Sequence, residues 1–279
     1  MNWRLIPYRR DSAFENMAID EAVFRETVTH GKPPTLRFYG WRKAAVSIGY
    51  FQDIENEINI HQCRLAGIDV VRRLTGGKAV FHSHEITYFL AAPHAEKLFP
   101  NEIEGTYRRI SACLARALSL MGIEAVLAPP PGQTIKTDLR SSCFSVPSGN
   151  ELLVGGRKIC GSAQMRNNGG FLQHGSLLLT FNPEKTAALI LPLSAVEGPA
   201  RLRHSVAAVN EIISFPVSEE TVCAALKKGF VDELGISVEE GELTRSEVLL
   251  SQRLVHKYAD DRWNWERKKD GWVTTPSAG

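Results

Sequence analysis

The sequence predicts an α+β fold: a single domain with a mixed or antiparallel sheet flanked by helices. Three observations predict it. Strand-like runs separated by glycine-rich turns recur from Thr35 to Pro93 and again from Glu151 to Thr180. Helical patterns at 11–28, at 101–122 and through the last third bracket those runs. No internal repeat or low-complexity linker interrupts the 279 residues, a length that suits one large domain or two small ones with a sizeable core.

The elements follow in order. "DSAFENMAIDEAVFRETV" (11–28) reads as a helix, with Ser12 and Glu15 at capping-box spacing and Phe14, Met17, Ala18 and Phe24 roughly on one face. "TLRFYGW" and "AAVSIGYFQ" are strand-like. "NIHQCRLAG" is a short helix stopped by Gly67. "IDVVRRLTGGKAVFH" reads as two strands around a Gly-Gly turn, and "EITYFLAAP" as another strand. A long helix over 101–122 ends at "LMG". The Pro-rich stretch 128–142 cannot sit inside a sheet and is a loop. "ELLVGGRKICGSAQMRNNGGFLQHGSLLLT" reads as an antiparallel meander turning at Gly155-Gly156 and at Asn167–Gly170. Helices follow at about 183–191, 218–234 and 244–259, and the end of the chain reads as a frayed tail.

Composition narrows the function classes. The chain is 43% hydrophobic and 23% charged with a formal net charge of +2, the profile of a globular protein. Its basic clusters, such as Arg72-Arg73, Arg108-Arg109 and Lys227-Lys228, are short, so nucleic acid is not indicated; they suit solvated faces, an acidic partner or an anionic substrate. No apolar run approaches the roughly 20 residues of a membrane helix, and the N-terminus lacks a signal peptide's apolar centre, so a cytoplasmic location is expected. The 5 cysteines (Cys63, Cys113, Cys143, Cys160 and Cys223) are spread along the chain without a CxxC pair. Neither a zinc ribbon nor a disulfide framework is expected, and free thiols are available for chemistry.

Candidate chemistry concentrates in two glycine-rich stretches. Gly76-Gly77 in "RRLTGGKAVFH" is either a plain hairpin turn or a place where a ligand meets the backbone; it is not a Walker loop. In "GRKICGSAQ", Gly161, Ser162 and Ala163 leave room for a ligand or allow close strand packing. Strand alternation puts Lys158 and Cys160 on one face, with Arg157 and Ile159 on the other. Lys158 lies either on a solvated face or in a pocket, and its small neighbours favour the pocket. Cys143 sits in a loop, where reactive groups concentrate, whereas Cys160 in mid-strand reads as a small hydrophobe. The histidines give no metal pattern. His82 or His174 could still partner a cysteine.

"FENMAIDEAVF", "RRLTGGKAVFH", "EITYFL", "GRKICGSAQ", "LQHGSLLL" and "WNWERK" together resemble lipoate-protein ligases and octanoyltransferases, whose fold is shared with biotin-protein ligases. The resemblance runs from about residue 3 to 268. It implies a lipoyl/biotinyl protein ligase-like catalytic domain over 1–268 and a flexible tail at 269–279. Within the superfamily, "RSSCF" ahead of "GRK" looks like the LipM-type octanoyltransferases of Gram-positive bacteria. That likeness assigns Cys143 the acyl-thioester and Lys158 the lowering of its pKa. It places Arg73, Gly76, Gly77, His82, Gly161, Ser162, Ala163, His174 and Gly175 at the substrate. Ser83 is a departure, since many relatives carry aspartate there. Many ligases also need a C-terminal adenylation-supporting domain. The sequence stops soon after "WNWERK", and that domain is expected to be absent.

The implied reaction moves octanoyl from acyl carrier protein to Cys143, then to a lysine of a lipoyl domain, usually the glycine cleavage H protein. A thioester is already activated, so neither ATP nor another cofactor is expected; nor is a metal, and a monomer is. A free cysteine is only a few per cent thiolate at neutral pH. An ammonium that lowers its pKa by about two units, roughly 2.7 kcal/mol, makes thiolate the major form. Two other readings stand beside this one. One is an ATP-dependent lipoate or octanoate ligase with Lys158 at the acyl-adenylate. The other is a non-catalytic protein that binds a lipoyl domain or a small acid.

Overall fold

Ser12 accepts a hydrogen bond from the Glu15 amide while the Glu15 carboxylate takes the Ser12 amide, so the chain leaves β1 (Asn2–Asp11) and enters α1 (Ala13–His30) through the predicted capping box. Gly31 closes that helix in the left-handed region. The computed structural model describes residues 2–128, 151–167, 169–193, 197–213 and 215–267. Cys143, most of the Pro-rich stretch and the 269–279 tail lie outside the described residues.

After α1 come β2 (Thr35–Trp41), β3 (Ala45–Ile48), α2 (Ile54–Glu57), α3 (Ile60–Leu65), β4 (Asp69–Arg72), β5 (Val80–His82), β6 (Glu85–Pro93), α4 (Ile103–Leu120) and β7 (Val126–Leu127). Beyond the undescribed stretch lie β8 (Leu152–Val154), β9 (Arg157–Asn167), β10 (Gly170–Leu178), α5 (Pro183–Leu189), α6 (Gly198–Ser205), α7 (Val209–Ile212), α8 (Glu219–Leu234), β11 (Ser237–Glu240), α9 (Arg245–Ala259) and α10 (Asp261–Asn264). An eight-stranded sheet runs β11-β1-β2-β6-β10-β9-β8-β7. β1 is parallel to both β11 and β2, and the remaining pairs are antiparallel, so the sheet is mixed.

Helices cover both faces. α4 and α8 bury Leu114, Leu118, Leu226 and Phe230 against one face, together with Leu36, Tyr88 and Leu177 of the strands. α1 packs on the other face and is itself covered by α9, which adds Leu254 and Tyr258. Apolar burial on both sides of the sheet is the main driving force for this layering. A smaller sheet, β4-β3-β5, forms a third core with α3, α5 and α6 through Ile48, Cys63, Leu189 and Leu202.

Two expectations need correction. The Gly76-Gly77 turn does not close a hairpin: β4 and β5 lie on opposite sides of β3, parallel and antiparallel to it. Residues 73–79 therefore cross over the end of β3, and no ladder hydrogen bonds tie β4 to β5 across that turn. The predicted strand 44–52 is confined to Ala45–Ile48, because Gly49 must turn beneath this crossover. A side-chain carbon at Gly49 would fall on the Gly77 carbonyl oxygen, a collision with backbone that only glycine avoids. No helix among the described residues is long and apolar enough to cross a membrane.

Candidate active site

The crossover brings the two glycine-rich stretches together. Gly76 and Gly77 face Gly161, Ser162 and Ala163 of β9 across a cavity of about 490 Å³. Arg73, His82, Lys158, His174 and Gly175 line the same cavity, so the described residues that the resemblance placed at the substrate meet Lys158 there. The cavity is also walled by Met17, Tyr39, Trp41, Ser47, Thr87, Tyr107 and Glu151, none of which the spacing of motifs had marked. Trp41 ends a strand, which is a weak hint. Glu151 sits just ahead of a strand run, and no spacing pattern reports it.

Lys158 is 3% exposed, and its ammonium meets the Glu151 carboxylate at 2.5 Å. A buried cation needs such a partner. The Ala128 amide donates to the Glu151 carbonyl at 2.7 Å. Ala128 and Glu151, the described residues on either side of 129–150, are thus hydrogen-bonded neighbours, and Glu151 contacts Lys158.

Strand alternation fails at this point. Leu152 pairs with Cys160 but Leu153 pairs with Lys158, so β9 carries one extra residue there. Such a bulge rotates the side chains on either side of it relative to each other. Cys160 turns into the core with Ile159, whereas Lys158 lines the cavity, and the two do not share a face as strict alternation would require. Burial pushes the Cys160 thiol up to about 12 despite the nearby Lys158. Burial likewise lifts Cys63 to about 11 and Cys223 to about 12, and raises Cys113. None of these four is a thiolate near neutral pH.

Both histidines are already engaged. His82 stacks on Trp41 with ring centroids 3.9 Å apart, its Nδ1 meets Glu85 Oε1 at 2.8 Å, and its Nε2 meets Ser47 Oγ at 2.7 Å. Burial raises the Glu85 carboxyl, but the His82 imidazole and hydrogen bonds from Ser176 and Thr87 hold it below the usual carboxylate range. His174 Nε2 meets Thr75 Oγ1 at 2.8 Å, and Arg73 Nε donates to that same hydroxyl oxygen at 3.1 Å. Burial lowers the His174 pKa more than Asp20, 3.5 Å from Nδ1, restores it, and the ring is neutral at pH 7. Both ring nitrogens of each histidine thus already have a partner. Arg73 also donates to the Gly76 and Lys78 carbonyls, each at 2.8 Å, and so shapes the crossover.

Gly175 shows how tightly one wall is packed. A side-chain carbon there would lie 2.6 Å from each of the Gly161 carbonyl, Ser162 Oγ and the Tyr88 ring. Gly175→Ala is therefore expected to push β9 away from β10 and to cost about 1–3 kcal/mol, the usual range for overpacking. Chemical denaturation checks this, and an unchanged midpoint would contradict it. Among the described residues no group of three or more His, Cys, Asp or Glu could hold a metal ion.

The family described as lipoyl protein ligase A/B catalytic domain matches residues 12–231. Octanoyltransferase LipM of Kyrpidia tusciae is 39% identical over 274 residues, covering 95% of this chain and 99% of the relative. Octanoyltransferase LipM of Bacillus subtilis is 37% identical over 273 residues, covering 95% and 98%. Among solved structures, the bipartite lipoate protein ligase of Thermoplasma acidophilum, studied with its E2 lipoyl domain, superposes with a TM-score of 0.81 at 25% identity, covering 98% of this chain and 99% of that one. The mixed sheet with helices on both faces is the lipoate-protein ligase catalytic fold. The chain belongs to the lipoyl protein ligase A/B catalytic-domain family, among its LipM-type octanoyltransferases.

Proposed function

We propose that the chain takes an octanoyl group from acyl carrier protein as a thioester on Cys143 and delivers it to a lysine amine of a lipoyl domain, such as the glycine cleavage H protein. It acts as a cytoplasmic monomer in this reading. The Lys158–Glu151 pair carries the proposal. It holds a buried ammonium against Glu151, itself hydrogen-bonded to Ala128, on the wall of a cavity within the roughly 300–1,000 Å³ usual for small-molecule sites. The four described cysteines are held as thiols by burial, which supports the fifth as the nucleophile.

In the first half-reaction the Cys143 thiolate attacks the donor's thioester carbon. The tetrahedral adduct collapses, the carrier's thiolate leaves, and it takes up a proton. In the second, the neutral lysine amine of the acceptor attacks octanoyl-Cys143, the nitrogen gives up a proton, and the Cys143 thiolate departs as the amide forms. Lys158 stabilises thiolate at both stages and relays the amine's proton. Gly76, Gly77 and Gly161 leave the cavity open for the acyl chain, and Gly175 lets β9 pack closely beside it. Arg73, His82, Ser162, Ala163 and His174 complete its walls.

Incubation with octanoyl-acyl carrier protein, followed by intact mass measurement, should show a single hydroxylamine-labile adduct. It should be lost in Cys143→Ala and kept in Cys160→Ala. An adduct that survives Cys143→Ala would move the nucleophile elsewhere. Labelling of the acceptor that required ATP and free octanoate would favour a ligase.

A further inference from the structure

Arg72 is fully buried, yet no carboxylate contacts it among the described residues. Its guanidinium is spent on backbone carbonyls from two distant segments. Nη1 donates to Gly49, Tyr50 and Gln52 at 3.0, 3.0 and 2.7 Å. Nε and Nη2 both donate to Asn264, at 3.0 and 2.7 Å. The main chain repeats the link: the Arg72 amide donates to Asn264 Oδ1 at 2.7 Å, and the Trp263 indole donates to the Arg72 carbonyl at 2.9 Å. Several carbonyl oxygens converging from opposite sides match a planar fork of donors, which a lysine ammonium cannot imitate.

The turn held in this way packs against the Gly76-Gly77 crossover that lines the acyl cavity. The Tyr50 amide donates to the Thr75 carbonyl at 2.9 Å, and Gly49 lies directly against Gly77. Thr75 in turn holds the His174 ring. Tyr50 also packs on Trp263, with ring centroids 5.9 Å apart. Trp263 and Asn264 lie beyond residues 12–231, the part that matches the catalytic-domain family. The C-terminal helices therefore reach back onto a wall of the site.

We infer that Arg72, with the Trp263–Asn264 end of α10, positions the acyl cavity: a buried cation ties the 49–52 turn, and through it the Gly76-Gly77 crossover, to the C-terminal helices. The part of this inference that concerns turnover rests on the octanoyl-transfer reading; the mechanical coupling does not. Without the tie, the 49–52 turn keeps its contacts with the crossover, the Arg267 hydrogen bond to the Phe51 carbonyl and the Tyr50–Trp263 packing, so it loosens together with the crossover. Lys158, on the far wall, keeps its Glu151 partner.

Amide hydrogen exchange and kinetics on the full chain test the inference in Arg72→Lys, Asn264→Ala and the milder Trp263→Phe, which keeps an aromatic ring against Tyr50. Exchange in peptides spanning 49–52 and 75–79 should rise by about tenfold or more in the first two variants, while β10 stays protected. The KM for octanoyl-acyl carrier protein should rise roughly tenfold to a hundredfold, as expected when a binding wall shifts by about an ångström. Alkylation of Cys143 by iodoacetamide should keep its wild-type rate, which a general loosening of the fold would not allow. Trp263→Phe should show the same pattern, smaller. Wild-type exchange at 75–79 in folded Asn264→Ala overturns the inference, as does an alkylation rate that changes in step with KM. A wild-type protein that accepts no octanoyl group from the carrier overturns the transfer reading instead, and the exchange measurement still decides the tie.

Discussion

Lys158→Ala should slow formation of the octanoyl-enzyme about twentyfold or more at pH 7, because Cys143 would revert to an ordinary thiol that is only a few per cent ionised. The pH profile of Cys143 alkylation should move to higher pH in the same variant. Lys158→Arg should fall short of what its retained charge suggests. The ammonium occupies a 3%-exposed site against Glu151, and a planar guanidinium is too large for it and cannot pass on a proton. Glu151→Gln gives the opposite sign. It keeps an acceptor for the ammonium but removes the negative charge that offsets it, so thiolate should be favoured and the alkylation profile should move to lower pH. Octanoyl transfer to the amine should nevertheless fall, since Lys158 would be held less firmly. Alkylation profiles in wild type, Lys158→Ala and Glu151→Gln decide the matter together. If they superimpose, the lysine has no electrostatic hold on the thiol.

The lining residues of the two glycine-rich stretches were legible because they come in local clusters whose composition is unusual: small residues around one lysine, and two glycines ahead of a basic one. The β9–β10 meander was legible for a related reason, since Gly155, Gly156 and the Asn167–Gly170 turn mark its corners. What the sequence did not reveal depends on partners far along the chain. Nothing near Gly76-Gly77 says that β3 will lie between β4 and β5. The extra residue in β9 appears only once β8 is laid beside it, and it alone decides that Lys158, not Cys160, lines the cavity. α1 hid its role differently. Its apolar residues predicted one buried face, but Asn16 and Asp20 are buried against the sheet and Glu21 is buried beneath α9. Each has a charged or polar partner contributed by another element: Arg37 for Asn16 and Asp20, Lys257 and Tyr258 for Glu21. A helix sandwiched between a sheet and a second helix has no face left to advertise in its periodicity.

That buried network leads to the largest expected loss of stability. Arg37 is fully buried; it donates to Asp20 at 2.7 Å, to Asp11 at 3.2 Å and to Asn16 Oδ1 at 2.6 Å, and its guanidinium lies 4.0 Å from the centre of the Tyr39 ring. Burial, and then the charge of Asp20, raise the Tyr39 phenol well above its ordinary pKa, so it stays protonated and donates to Asp20 at 2.8 Å. Arg37→Met should therefore cost about 3–5 kcal/mol, because it leaves Asp20 buried without its cation, and the penalty for an unpaired buried charge outweighs the gain of an apolar side chain. Adding Asp20→Asn should recover much of that loss: the two substitutions share one interaction and should be far from additive. The effect should reach the cavity, since Asp20 also faces His174. Free of its Asp20 partner, the ring can rotate away from Thr75, so the double variant should remain stable yet take up octanoyl more slowly than wild type. Denaturant titrations of the two single variants and the double variant measure the coupling directly. A loss below about 1 kcal/mol in Arg37→Met, the size of an exposed ion pair, would mean that solvent reaches Asp20 and that the network does not support this wall.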